Sequence, residues 1–468
     1  MTQSTNENTL ILDIGKTHVK LHVLDDSYLS IYSKEMDNLV VHTGQYPAAS
    51  VSAIWHWFKT NVKEFAGNFN ITRITITTHG ATAALIDRNS ETDDGLVLPV
   101  LDYEFTGTDE QSPNYAQVRP DFSQTYSPNL PAGLNLGRQL YWLKNQFPQE
   151  FAKATDILMY PQYWVWRLTG QRYSEITSLG CHTDLWSVAG NDYSSLVDEL
   201  ECRDKFPPLA PAWQNCGGLR AELSEELGID SQCQVFSGLH DSNASFLRYK
   251  LTQGDKPFTV VSSGTWTILM ASQVPLTNLQ QSKDMLANID ALSSPIACAR
   301  FMGGREFAAI CEQTQAKVSD HFDEQDLQAV IDKAVLALPD FSGGSGPFGG
   351  CEPAFKGPVD QVKGAALATL YCALLVDYQL SVLQSKGTVY IEGAFLKNPL
   401  LCALINQLRT EQNVELSQDS TGTVMGAAYL TDWDNVQSQI ETSQAKTTQL
   451  QGLAAYQALW LAQINQQN

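Results

Sequence analysis

Hydrophobic and polar positions change period several times along the chain. "LILDIGKTHVKLHVLD" (Leu10 to Asp25) opens on an unbroken apolar run, Leu10-Ile11-Leu12. After Lys16 and Thr17 it resumes as His18-Val19-Lys20-Leu21-His22-Val23, a strict polar/apolar alternation. A short apolar run suits a buried strand, and a period of two marks a half-buried one. The stretch therefore predicts strand, tight turn, strand. "FTVVSSGTWTILMAS" (Phe258 to Ser272) has the same layout: two apolar runs around the small polar turn Ser263-Gly264-Thr265, about half the chain further on. Each half is expected to begin with a similar β-hairpin, and two such halves to face each other across a cleft, each offering a hydroxyl-and-amide turn. The polar stretch Leu247 to Phe258, with its Gly and Pro, is the expected boundary and hinge.

The remaining pattern alternates strands with helices. "ITRITITTHGATAALID" reads as strand, bend at Gly80, strand, and "QLYWLKNQFPQEFAKA" as a helix interrupted by proline. "GAALATLYCALLVDYQLSVLQSKG" (Gly364 to Gly387) reads as a long apolar helix ended by its glycine. "TVYIEGAFLKNPLLCALINQLRTEQNVELSQ" reads as strand, turn, helix, strand, and "TGTVMGAAYLTDW" opens another helix. Such alternation favours an α/β architecture.

Composition narrows the class. The 468 residues exceed one core, so at least two domains are expected. A formal charge of −21 argues against nucleic acid or an anionic membrane surface as partner. Residues 1–9 lack the basic and apolar regions of a secretory signal. Nine scattered cysteines with no C-x-x-C pair suit reduced thiols in a cytoplasmic protein better than a disulfide or zinc framework.

Several short stretches carry candidate chemistry. Gly15-Lys16-Thr17 ends like a P-loop, but Leu10 stands where the first P-loop glycine belongs and a strand follows instead of a helix. A phosphate held by this turn, with Asp13, Gly15, Lys16 and Thr17, would be held by another geometry. In "GLHDSNASF" (Gly238 to Phe246) a strand leads to Asp241, and a helix can start after it; a catalytic carboxylate and a helix N-cap are both open. Gly393-Ala394 follows a strand at the start of a helix, where missing side chains admit a ring or phosphate. "GTVMGAA" (Gly422 to Ala428) is similar; for both, close packing is the other reading. Gly344-Ser345-Gly346-Pro347-Phe348-Gly349 spells G-x-G-x-x-G, but Pro347 and the lack of a preceding strand make it a surface loop.

The order of these motifs resembles the FGGY carbohydrate kinases of the actin-like, hexokinase and Hsp70 ATPase superfamily. The hairpin with Asp-x-Gly, the Gly-x-x-Asp turn, the Ser-Gly-Thr hairpin, the Gly-Ala turn and the Gly-x-x-x-Gly-Ala-Ala helix follow one another over roughly 10–435. "SSGTW" and "LIDRNSETDDGLVLPV" look most like the rhamnulokinase and fuculokinase types. The resemblance implies two actin-like (ribonuclease H-like) α/β domains, 1–247 holding sugar and catalytic base and 248–468 holding nucleotide. It implies ATP and Mg²⁺ as cofactors and a small-molecule sugar as partner; a monomer or homodimer is the general expectation. It makes Asp241 the general base and Asp13 the Mg²⁺ ligand. Gly15, Lys16, Thr17 and Lys20 would approach the transferring phosphoryl group, and Gly264 and Thr265 the nucleotide phosphates. Gly304, Gly393, Ala394 and Asn398 would line the adenosine site. His79, Thr82, Tyr103, Glu104 and His240 would join Asp241 around the sugar.

Some letters depart from the family. Lys16 stands where a small hydroxyl residue or alanine is usual. Thr77, His79 and Thr82 replace the Asp, Trp and Asp usual in rhamnulokinases, and the FGGY signature itself is not evident. The expected reaction is ATP-dependent phosphorylation of a terminal hydroxyl of a ketose such as L-rhamnulose, L-fuculose or a pentulose. An aldose or polyol kinase and a non-catalytic sugar sensor of the same fold are the alternatives. Asp241 is expected to keep an ordinary carboxylate pKa near 4 and to be ionised at neutral pH.

Overall fold

The computed structural model describes residues 7–418, 422–438 and 440–466. Residues 1–6, part of the segment read for a secretory signal, and Thr421, which heads the last helix reading, lie outside them. The chain divides into two compact units. The first comprises Met1–Thr252, Ala287–Ser294 and Thr421–Ser438; the second comprises Gln253–Leu286, Pro295–Ser420 and Gln439–Asn468. The two late segments of the first unit fall after residue 247, the boundary expected from the sequence. Packing places them there: Val424, Ala427, Ala428 and Ala291 share one core cluster with Ile11, Leu239, Ala244 and Leu247.

The first unit is built on strands β1 (Asn8–Ile14), β2 (His18–Leu24), β3 (Ser30–Asp37), β4 (Ile71–Thr78), β5 (Gln234–Val235) and β6 (Leu239–His240). β1 pairs antiparallel with β2 and parallel with β4; β2 continues antiparallel to β3, and β5 and β6 both run parallel to β4. β1 is buried along almost its whole length, whereas β2 alternates buried and more exposed positions. The difference follows from position: the apolar run lies mid-sheet, and the alternating strand covers only one face.

The second unit repeats the scheme with β7 (Phe258–Ser263), β8 (Thr267–Ala271), β9 (Pro295–Phe301), β10 (Thr388–Gly393) and β11 (Val414–Ser417). β7 pairs antiparallel with β8 and parallel with β10, β8 is antiparallel to β9, and β10 is parallel to β11. The order β5-β4-β1-β2-β3 thus has its counterpart in β11-β10-β7-β8-β9. These are two actin-like α/β units, and the similar hairpins correspond strand for strand.

One reading of a helix end needs correction. The helix Gly364–Leu383 is apolar all round and buried inside the second unit, as a core helix of that composition must be. It stops at Gln384, which takes the left-handed conformation (φ 57°), and not at Gly387. In the helix Gly422–Tyr429, a Cβ at Gly426 would fall on the carbonyl oxygen of Ala244. That glycine serves the close packing of two helices of the first unit, one of the two readings open for the segment. The G-x-G-x-x-G segment is a loop, but not the surface loop expected: Gly346, Pro347 and Phe348 are buried, and the Asp340 carboxylate accepts the N–H groups of Ser342, Gly344 and Gly350.

Candidate active site

In the first unit the hairpin turn is closed by Gly15 N–H donating to the His18 carbonyl (2.9 Å). Thr17 is exposed, with its hydroxyl 3.0 Å from His18 Nδ1. The register places Asp13 opposite Lys20 across the hairpin. Lys20 is half exposed, with its ammonium 3.9 Å from Glu35. Burial, then the nearby Asp241 charge, push the Asp13 carboxyl up to about 7, with Lys20 opposing. Hence two acids, distant in sequence, share one field.

Asp241 is the first residue of the helix Asp241–Gln253, directly after β6. Its Oδ1 accepts the N–H (2.6 Å) and hydroxyl (3.2 Å) of Ser242. The capping role left open in the sequence is therefore partly real, from inside the helix. Burial raises its pKa, with His79 and the Ser242 bonds opposing. The expected ordinary pKa near 4 is thus corrected; a low-dielectric setting penalises the charged carboxylate. His240 lies 3.2 Å from Asp241, and burial lowers its pKa to about 4, so the ring is neutral at pH 7.

His79 follows β4, where its N–H donates to the Ile14 carbonyl (2.8 Å) and ties the bend to the first hairpin. Burial is the main cause that lowers its pKa. It meets the Tyr103 ring edge-on at 5.4 Å, and Thr82 Oγ1 lies 3.4 Å from its Nδ1. His79, Thr82 and Tyr103 line a recess of about 20 Å³ with Lys16, Asn38 and Asp102. That volume accepts roughly one water-sized group. Lys16, expected near the transferring phosphate, is held by carboxylates in this structure. Its ammonium lies 2.6 Å from Asp102 and 3.4 Å from the more exposed Glu104, over the Tyr103 ring.

The second unit has its own cavity, about 590 Å³, lined by Gly264, Gly304, Phe307, Phe322, Ala394 and Asn398 among others. Thr265 is exposed, and neither it nor Gly393 is among the lining residues. Two glycines are demanded by close approach. Gly393 has φ 82°, and a Cβ there would meet the Ser263 carbonyl oxygen; at Gly304 it would meet that of Gly264. Ser263 Oγ donates to the Glu392 carbonyl (2.6 Å) and accepts Phe395 N–H (2.8 Å), binding the second hairpin to the Gly393-Ala394 turn. Asn398 caps the helix Pro399–Leu408 through Leu401 N–H (3.1 Å) and donates to Thr369 Oγ1 (2.9 Å).

Several residues of these sites were missed in the sequence. Asp102 adjoins Tyr103 and Glu104, a clue unused. Ser263 belongs to the hairpin turn already noted. Nothing in "VSDHF" (318–322) marks it as cavity wall. The fully buried Glu175 accepts Thr177 N–H (3.0 Å), and the Thr177 hydroxyl accepts His240 N–H (3.0 Å), so it supports the strand leading to Asp241.

Comparisons with known proteins agree with this layout. Residues 8–247 match the N-terminal domain model of the FGGY family of carbohydrate kinases, and 255–440 match the carbohydrate kinase FGGY C-terminal domain model. A crystal structure of a carbohydrate kinase from Novosphingobium aromaticivorans is 31% identical and superposes with a TM-score of 0.90, covering 99% of each chain. An L-fuculokinase of Salmonella typhi is 25% identical over 295 residues, 61% of either chain. A rhamnulokinase of Oceanobacillus iheyensis is 30% identical over 138 residues, 28% of this chain and 27% of its own. The chain thus spans less than two thirds of the curated relatives it matches.

Proposed function

We propose that this chain, which belongs to the FGGY family of carbohydrate kinases, transfers the terminal phosphoryl group of ATP to a terminal hydroxyl of a ketose. The observation that carries this reading is Asp241: a partly exposed carboxyl at a helix start, in the electrostatic field of Asp13 and beside the neutral His240. A general base for an alcohol works best with a pKa displaced toward the working pH, and burial moves Asp241 in that direction. Phosphoryl transfer otherwise needs positioning and charge neutralisation more than covalent chemistry.

The sugar would be bound by the first unit, by His79, Thr82, Tyr103, Glu104 and His240, with Asp241 accepting the hydroxyl proton. Gly15, Thr17 and Lys20 would approach the phosphoryl group, and Gly264 and Thr265 the nucleotide phosphates. The second unit's cavity, with Gly304, Gly393, Ala394 and Asn398 in or beside it, would take adenosine. Its volume lies within the usual range for a small-molecule site.

Among the described residues no three His, Cys, Asp or Glu side chains converge as a metal set. Mg²⁺ in phosphoryl-transfer sites commonly takes one or two carboxylates and completes its shell with phosphates and water. Asp13, whose ionised form is disfavoured partly by Asp241, has the hard oxygen donors that suit this ion. When bound, the ion would neutralise phosphate charge. A panel of L-fuculose, L-rhamnulose, L-xylulose and common polyols in a coupled ADP-release assay tests the reading. Sugar-dependent ADP release supports it; ATP turnover indifferent to every sugar rejects it.

A further inference from the structure

His240 ends β6, and its buried ring stands beside Asp241, with Nε2 at 3.2 Å from Asp241 Oδ1. At the other ring nitrogen, Asn243 Nδ2 lies 3.2 Å from Nδ1. Asn243 is buried on the first turn of the helix Asp241–Gln253. Its amide could face the ring either way round, and Thr177 selects one. The Thr177 carbonyl accepts from Asn243 Nδ2 at 3.5 Å. A flipped amide would set Oδ1 against that carbonyl, acceptor against acceptor. Asn243 Oδ1 has no hydrogen-bond partner among the described residues, so the amide is engaged through its donor end alone. The Thr177 hydroxyl in turn accepts the His240 N–H and donates to the buried Glu175 at 2.6 Å. Thr177 thus fixes both the His240 backbone and the Asn243 side chain. Gly80 meets the ring from another segment: a Cβ there would stand 2.8 Å from Nε2. A neutral imidazole carries one protonated nitrogen and one lone pair. Burial keeps His240 neutral at neutral pH. With a donor at Nδ1, the proton belongs on Nε2.

Resting on the reading of Asp241 as general base, we infer that Asn243 is a positioning residue that fixes the tautomer of His240, so that Nε2 carries its proton beside the Asp241 carboxylate. The N–H end of the ring stabilises the ionised carboxylate, the form that must receive the hydroxyl proton. The other tautomer would set a lone pair beside the same oxygen and disfavour that form. Asn243 therefore acts on the base through the ring between them.

Long-range proton–nitrogen NMR spectra of the full chain, at neutral pH and free of sugar and nucleotide, tell a protonated ring nitrogen from a bare one. His240→Gln identifies the His240 signals by their loss. The parent is expected to show Nε2 protonated and Nδ1 bare. Asn243→Leu keeps the size of the side chain and removes the donor, so a population with protonated Nδ1 should appear. Its kcat should fall about tenfold, the scale of one hydrogen bond to a charged group, with the sugar KM within about threefold of the parent. Asn243→Ala, which only deletes atoms, should give the same ring signature should the leucine variant fail to fold. In a His240→Gln background, whose amide has no tautomer to set, Asn243→Ala should lower kcat by less than about twofold further. A purely structural Asn243 would cost the same in both backgrounds. A parent ring protonated at Nδ1, or Asn243 variants that keep both the parent ring signals and the parent kcat, overturns the inference. An Nδ1-protonated ring in a parent with sugar-dependent ADP release sinks this inference and leaves the kinase reading standing. Parental turnover in a folded Asp241→Asn protein would end both the base assignment and the role of Asn243.

Discussion

In the proposed reaction Asp241 is the residue on which the chemistry would turn. Asp241→Asn keeps shape and the bonds from Ser242 but cannot take a proton. Turnover should fall at least about a hundredfold, the scale of general acid–base catalysis, while calorimetric sugar affinity stays within a few-fold. Near-parental turnover in a folded variant would remove Asp241 from the mechanism. Asp13 makes a second case. Asp13→Ala should raise the Mg²⁺ concentration needed for half-maximal rate and lower the rate at saturation, because the ion loses its protein oxygen. Magnesium titrations that overlay those of the parent would reduce Asp13 to a structural part of β1. Both aspartates stood out in the sequence, since carboxylates in Gly-bounded turns are visible as letters. Their shifted pKa values were not, because desolvation depends on what packs around a group.

At the scale of elements, the short helix Ile176–Leu179 supports β6, the strand that leads to Asp241. Its N-cap, Glu175, is pushed up to about 7 by burial, against the opposing bonds from Thr177 and Ser178. Its other oxygen, Oε1, has no hydrogen-bond partner among the described residues. The folded protein keeps this proton up to pH about 7, whereas an unfolded chain releases it near the ordinary value of 4.5. Between those values the folded state binds more protons, so stability falls as pH rises, by up to about 1.4 kcal/mol per pH unit. Denaturant midpoints of Glu175→Gln between pH 5 and 8 should therefore drop less steeply than those of the parent. Parallel curves would show that Glu175 does not titrate there. In the second unit, Gly304→Ala would push a methyl onto the Gly264 carbonyl oxygen. Calorimetric ADP affinity should weaken about tenfold or more with sugar affinity retained. Unchanged ADP affinity would place the nucleotide elsewhere. No local pattern marked Glu175 or this contact, since each depends on two segments meeting.

At the scale of the whole molecule, each unit repeats a hairpin flanked by a parallel strand, and each carries its own candidate site. Sugar should protect backbone amides of 79–104 from hydrogen exchange, and ADP should protect 318–322 and 394–401. Each ligand slows exchange where it stabilises local structure. If ADP protected 79–104 and left 394–401 unchanged, the division of labour between the units would be wrong.

The sequence by itself determined the α/β class, both hairpins, the duplication and the carboxylates at the strand ends. These are written in periods of two, in apolar runs and in glycine-bounded turns, all local in the chain. Only the tertiary structure decided the rest. Residues 287–294 and 421–438 join the first unit because their apolar side chains complete its core cluster, a contact across long sequence separations. Gly426 proved a packing residue for the same reason. Lys16, which the local letters aimed at a phosphate, is held by Asp102, 86 positions away. A salt bridge of that reach depends on which strands become neighbours, and no local period records it.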